Sequence, residues 1–272
     1  MADDLGVDPS KPSIARVYDY LLGGQDNYAV DREVGDFFRN DLPGSVAIAF
    51  SNRHALVRAV EEMTRLGIRQ FIDMGSGLPT ADNVHQVAQR WIPDARVVYI
   101  DNDPIVLAHG RALLADEKTT TVIQADLHDP LDIRTHPEVL RLIDFEQPIG
   151  VIFSATLHHL QDEENPAEVV RFWAEETAPG SVFYISHFRS GDNAETKAAE
   201  EMLQTTFGRG RWRTDEEILA LFGDLEVLQP GLVACGLWRT TTESGAVTRI
   251  GASVHELTVW EQLIACGMAH KP

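Results

Sequence analysis

The chain has 272 residues, 44% hydrophobic and 24% charged side chains, and a formal net charge of −19. Length and composition suit a globular protein of one elaborated domain or two small ones, and the negative mean field argues against nucleic acid or anionic lipid as a bulk partner. No apolar run approaches the roughly 18 residues of a membrane span, and the N-terminus, with Asp3 and Asp4, lacks a hydrophobic signal core, so a cytoplasmic protein is expected.

Ile14, Val17, Tyr18, Leu21 and Leu22 recur at helical spacing, and Gly23-Gly24 ends that helix. A short helix from about Asp31 should bury Val34, Phe37 and Phe38. A longer one, read as capped by Ser51, carries Ala55, Leu56, Ala59, Val60 and Met63 on one face up to Leu66-Gly67. Residues 1–66 are therefore expected to form an N-terminal helical cap or lid. Residues 67–272 read as an α/β domain: strand 69–74, helix 81–91, strand 96–101, helix 104–116, strands 120–125 and 149–154, helix 165–177 and strand 181–187. This alternation specifies a Rossmann-like, mostly parallel sheet flanked by helices. Helical stretches at 193–206 and 214–222 follow, then strand-like segments at 225–229, 232–238 and 258–269. Cys235 and Cys266 lie in the apolar runs of the last two and are expected as buried, reduced thiols on strands.

The chemistry concentrates where strands end. Asp73 precedes Gly75-Ser76-Gly77, Asp101 closes Val97-Val98-Tyr99-Ile100, and Asp126 follows Val122-Ile123-Gln124-Ala125. In an open parallel sheet, ligands bind beyond the carboxyl ends of the strands, and the glycines let backbone approach a ligand closely. A dinucleotide site needs G-x-G-x-x-G, but the third position is Thr80, and the charge of Asp73 would lie close to a pyrophosphate. S-adenosylmethionine instead offers an ammonium, a sulfonium, a ribose diol and an adenine amine. Asp73 suits the amino end, Asp101 the ribose and Asp126 the adenine. Taken singly, each acid has an alternative as a turn or cap residue. Asp103 before Pro104 reads as a helix cap, and Asp129 before Pro130 as a turn former.

Beyond this constellation, the chain resembles class I S-adenosylmethionine-dependent methyltransferases, and specifically the actinobacterial S-adenosyl methyltransferase family, once catalogued as a domain of unknown function. The resemblance lies in Ala15 through Tyr28, Asn52-Arg53, Gln70 through Thr80, Asn83-Val84-His85, Val97 through Pro104 and Leu157-His158-His159. It implies a seven-stranded sheet, S-adenosyl-L-methionine as cofactor, and methyl transfer to an acceptor that the family leaves open; a small molecule is expected. Where the general signature has a third glycine, this chain has Pro79. Asn102, Leu127 and Ser154 join the expected cofactor-binding set with Asp73, Gly75, Ser76, Gly77, Asp101 and Asp126. From the cap, Tyr18 and Asn27 are expected against the ligand with Tyr28, and Arg53 against its carboxylate. Tyr18 has a core alternative and Arg53 a surface one. His158, His159 and His187 read either as acceptor-side bases or as structural residues. No spacing suggests a metal site. Two further readings stay open: a cofactor-binding regulatory protein that transfers nothing, and an NAD-dependent oxidoreductase.

Overall fold

The computed structural model describes residues 8–80, 82–114, 118–191, 193–239 and 257–272. Three helices come first: α1 (Ile14–Leu21), α2 (Ala29–Asp36), which runs into a π-helical turn at Phe37–Asp41, and α3 (Ala47–Arg65). Ser51 is not a cap. The helix starts at Ala47 from a tight turn, which leaves Ser51 buried in its second turn.

The α/β part follows as β1 (Gln70–Met74), α4 (Val84–Trp91), β2 (Arg96–Asp101), α5 (Pro104–Leu113), β3 (Thr120–Gln124), α6 (Pro130–Thr135), α7 (Pro137–Leu142), β4 (Gly150–Ser154), α8 (Pro166–Glu176) and β5 (Val182–Phe188). The chain then forms α9 (Ala194–Phe207), α10 (Asp215–Ala220), β6 (Glu226–Val227), β7 (Val233–Ala234), α11 (Val259–Leu263) and β8 (Ile264–His270). The expected first residue of the 81–91 helix, and residues 115–116 of the 104–116 helix, lie outside the described residues. Asn83 makes a capping box with Gln86, so α4 starts at Val84.

The sheet order is β3-β2-β1-β4-β5-β8-β6, with β7 also paired to β8. The first five positions are parallel, and β8 enters antiparallel beside β5 with Phe188 opposite Ile264. Eight strands replace the expected seven because β6 and β7 are two pieces of one edge, pairing with opposite ends of β8. Pro230, which has no N–H to donate, and Gly231 at φ +83° turn the chain out of the ladder between them. Thr258 and Glu261 form a capping box, so the segment expected to be strand at 258–269 opens as the helix α11. Cys235 likewise sits on a 3-10 turn rather than a strand, although both cysteines are buried and free.

Strand residues alternate between two cores. Phe71, Val97, Tyr99, Ile152 and Tyr184 face α3, α4 and the C-terminal elements, while Ile72, Met74, Val98, Ile100, Val151 and Phe153 face α6, α7 and α8. Each large apolar side chain fully buried there contributes about 1.5–3 kcal/mol. With both faces covered, the carboxyl ends of the strands are where side chains can meet a ligand. Among the described residues, no helix is long and apolar enough to cross a membrane.

Candidate functional site

A cavity of about 620 Å³ opens beyond the carboxyl ends of β1 to β5, under residues of α1 and α3. That is within the range of small-ligand sites. Asp73, Gly75, Ser76, Gly77, Asp101, Asn102, Asp126, Leu127, Ser154, Tyr18 and Arg53 all line it. Asn27 does not.

Asp73 is the electrostatic centre. It is 4% exposed, and among the described residues no hydrogen bond reaches its carboxylate. Burial pushes its pKa up to about 7; the nearby Arg53 charge opposes the rise and Asp101 adds to it. An acid held this way would gain from a further cation bonded to it directly. Asp101 is also raised, to about 6, by burial against the hydrogen bonds it accepts. Its Oδ2 accepts from the Gly77 N–H at 2.8 Å and its Oδ1 from the Asp103 N–H at 3.0 Å. Each carboxylate oxygen keeps a further lone pair for a ligand hydroxyl. Asp103 caps α5 through the Ile105 N–H at 2.9 Å, as its place before Pro104 suggested.

The glycine turn is shaped by its own backbone. Gly75 and Ser76 donate to the Ile100 carbonyl at 2.8 and 3.0 Å, which ties the turn to the end of β2. Gly75 has φ +73°, and a Cβ there would come within 2.2 Å of Thr156 Cγ2; Gly77 has φ +66° but open space around its Cβ position. The close approach that glycine permits is thus to Thr156 at Gly75, and at Gly77 the requirement is the left-handed dihedral alone.

Asp126 stands at the rim. Its Oδ1 accepts from the His128 backbone N–H at 3.0 Å and meets His128 Nδ1 at 2.6 Å, and these bonds with the imidazole outweigh partial burial and keep its pKa below the usual carboxylate value. His128 Nε2 in turn lies 3.1 Å from Glu164, which pairs with Arg209. Asp129, expected in a turn, leads directly into α6.

The N-terminal helices are held to the sheet by polar contacts. Ser13 Oγ donates to Asp103 Oδ2 at 2.5 Å. Tyr18 O–H donates to the Ala49 carbonyl at 3.0 Å and accepts from Asn52 Nδ2 at 3.2 Å. Asn52 also donates to Ser154 Oγ at 3.2 Å and accepts from Ser186 Oγ at 2.6 Å. Arg53 reaches the Asp82 carbonyl at 2.9 Å. Asn27, by contrast, is consumed by its own loop. Its amide donates to Asp19 Oδ2 at 2.9 Å and the Gly24 carbonyl at 3.1 Å, and its Oδ1 accepts from Arg32 at 3.1 Å. Tyr28 packs against Leu78, Ile105 and Val106 under the Arg16 guanidinium, away from the cavity. Asn52 was visible in the sequence only as part of a shared stretch. The available signal was a polar residue on the buried stripe that also carries Ile48 and Leu56.

The histidines divide. His187 does not line the cavity: its Nε2 accepts from Arg213 at 3.0 Å and its Nδ1 donates to the Phe188 carbonyl at 2.7 Å, which fixes a neutral ring, and burial holds its pKa near 3. It is structural. Arg213, which sequence reasoning missed, also donates to the Leu157 and Leu160 carbonyls and to Asp162, and so pins the 157–162 loop to β5. His158 and His159 do line the cavity. Burial, with His159, His187 and Arg213 nearby, sends His158 well below its ordinary pKa, and burial takes His159 to about 4. Both are neutral at physiological pH.

A family model described as S-adenosyl methyltransferase matches residues 2–272. Among solved structures, the chain is 41% identical to a Thermobifida fusca protein provisionally described as a methyltransferase, over 98% of this chain and 97% of that one, with a TM-score of 0.89. It is 32% identical to a DUF574 family protein from Streptomyces avermitilis, over 97% and 99%, with a TM-score of 0.88. The mitomycin 7-O-methyltransferase MmcR, 14% identical over 98% and 74% with a TM-score of 0.51, shares the fold alone. No curated protein matches the chain. The chain belongs to the S-adenosyl methyltransferase family, which makes it a methyltransferase that uses S-adenosylmethionine and sets aside the oxidoreductase reading.

Proposed function

We propose that this methyltransferase acts in the cytoplasm on a small-molecule acceptor, with residues 1–66 as a cap over a cofactor site built by residues 67–272. Asp73 takes the ammonium of the cofactor, Asp101 its ribose hydroxyls and Asp126 the adenine amine, with Arg53 towards the carboxylate. Tyr18 and Asn52 hold the cap at the strand ends. The observation that carries this reading is Asp73: a carboxyl at the cavity, without a hydrogen bond among the described residues and with its pKa pushed up to about 7 by burial despite the Arg53 charge, fits a cationic ligand and opposes a phosphate.

When bound, the cofactor supplies an electrophilic methyl on a sulfonium. The chain's part is to exclude water and align the acceptor, effects that need no covalent protein nucleophile. The cavity continues past the acids to His158, His159 and Phe188, which supports transfer over a regulatory protein that only binds. Isothermal titration with S-adenosylhomocysteine tests the reading, with saturable binding expected; absence of heat at millimolar ligand would refute it.

A further inference from the structure

The two ends of the cavity differ in chemistry. Beyond β1 to β3 it is edged by carboxylates. Beyond β4 and β5 its wall is made by Phe38, Ile48, Phe188, Leu203, Phe207 and Ile264. Phe188 is held rigid, stacked on Trp212 with centroids 4.6 Å apart, and its other neighbour is the His158 ring at 4.3 Å. Arg209 also lines the cavity beside this wall and is paired with Glu164.

Two polar atoms at the junction of the halves stand out. Thr156 Oγ1 and His158 Nδ1 are both buried and have no hydrogen-bond partner among the described residues. Both residues line the cavity, on the loop that leaves β4, where the Thr156 methyl faces Gly75. A buried polar atom without a partner costs roughly 1–3 kcal/mol, a cost that a ligand group bonding to it would remove.

We propose that the methyl acceptor is an uncharged, largely apolar and partly aromatic molecule, which lies on the Phe188–Phe207 wall and presents a single O–H or N–H to Thr156 Oγ1 and His158 Nδ1. The inference rests on reading the acid-edged half as the cofactor site. A charged acceptor would meet an apolar wall, two neutral imidazoles and an arginine, Arg209, already paired with Glu164, which favours an uncharged one. The neutral state of His158 leaves its ring able to accept the acceptor's hydrogen bond. In the transfer, the acceptor heteroatom's lone pair forms the bond to the methyl carbon as the carbon–sulfur bond breaks. The sulfur keeps that electron pair as a thioether, and the heteroatom's proton leaves towards His158 and then solvent.

Three probes of one shape separate the terms: 2-naphthol, neutral with a donor; 2-fluoronaphthalene, neutral without one; and 2-naphthoate, an anion. Each is titrated into protein saturated with S-adenosylhomocysteine at pH 7. 2-Naphthol is expected to bind about two- to tenfold more tightly than 2-fluoronaphthalene, the range of one hydrogen bond, and more than about tenfold more tightly than 2-naphthoate. Thr156→Val and His158→Phe should each abolish the preference for 2-naphthol over 2-fluoronaphthalene while S-adenosylhomocysteine affinity is retained. Thr156→Val keeps the side chain's shape, so its result stands even if the histidine variant does not fold. 2-Naphthoate binding as tightly as 2-naphthol, no saturation by 2-naphthol, or a preference that survives in Thr156→Val would overturn the proposal. Failure of S-adenosylhomocysteine itself to bind would overturn the cofactor reading and this inference with it.

Discussion

Replacing Asp73 with Asn should stabilise the cofactor-free protein at alkaline pH and leave it nearly unchanged in acid. The carboxyl goes from 3.8 in the unfolded chain to about 7 in the fold, with burial the main cause. Because the folded value is the higher, the folded state holds a proton that the unfolded state has already released. The contribution is fully present below about pH 4 and is lost as pH rises through about 7. At about 1.4 kcal/mol per pH unit, a rise from 3.8 to about 7 amounts to about 4 kcal/mol, a large share of the roughly 5–15 kcal/mol of a typical domain. Asn has nearly the same shape and no charge to desolvate, so Asp73→Asn escapes the loss. Urea unfolding of both proteins without cofactor, from pH 5 to pH 8.5, measures it. The wild type should weaken with pH relative to the variant, the gap opening most between pH 5 and 7. Parallel curves would refute the reasoning, since they would mean that the Asp73 charge is compensated in the empty site.

Gly75→Ala should cost about 2–5 kcal/mol, the sum of a left-handed dihedral and overpacking, and abolish cofactor binding, because its Cβ meets Thr156 at 2.2 Å. Gly77→Ala should cost only the dihedral, about 1–2 kcal/mol. Equal midpoints of thermal unfolding for the pair would contradict the steric account. Asp101→Ala should weaken S-adenosylhomocysteine binding by about 1.5–3 kcal/mol, the range for hydrogen bonds to a charged group. An unchanged calorimetric affinity would remove Asp101 from the site. Arg213→Met should destabilise the fold by about 1–3 kcal/mol, because it leaves the buried His187 Nε2 and the Leu157 and Leu160 carbonyls without their donor, while Asp162 is half exposed and keeps Arg211. A shift of under about 1 kcal/mol in urea would show that the 157–162 loop is held by other contacts.

The acids at the strand ends were legible because each closes a run of β-branched or aromatic residues, and the topology of a parallel sheet brings such ends together. The misplacement of Asn27 has a different origin. A polar loop announces that its amides need partners but not whether Asp19, eight residues earlier, supplies them. The helices α6 and α7, six residues each, are too short to display a period, and their mark was the helix-opening prolines Pro130 and Pro137. At 258–269 the apolar run hides a helix start whose sequence mark is the Thr258–Glu261 capping box. His187 could not have been assigned, because its neutrality comes from burial and from a bond to Arg213, 26 residues away. Thr156 escaped notice because an unpartnered hydroxyl is a fact of packing, not of sequence.

The central claim is that the cofactor's cation takes the place of a proton on Asp73. Calorimetric titration of S-adenosylhomocysteine at pH 6.5, in two buffers of different ionisation enthalpy, counts that proton. With Asp73 at about 7 and Asp101 at about 6 in the empty site, about one proton should leave per cofactor bound, and most of that release should vanish in Asp73→Asn. Binding with no proton released from the wild type would contradict the claim.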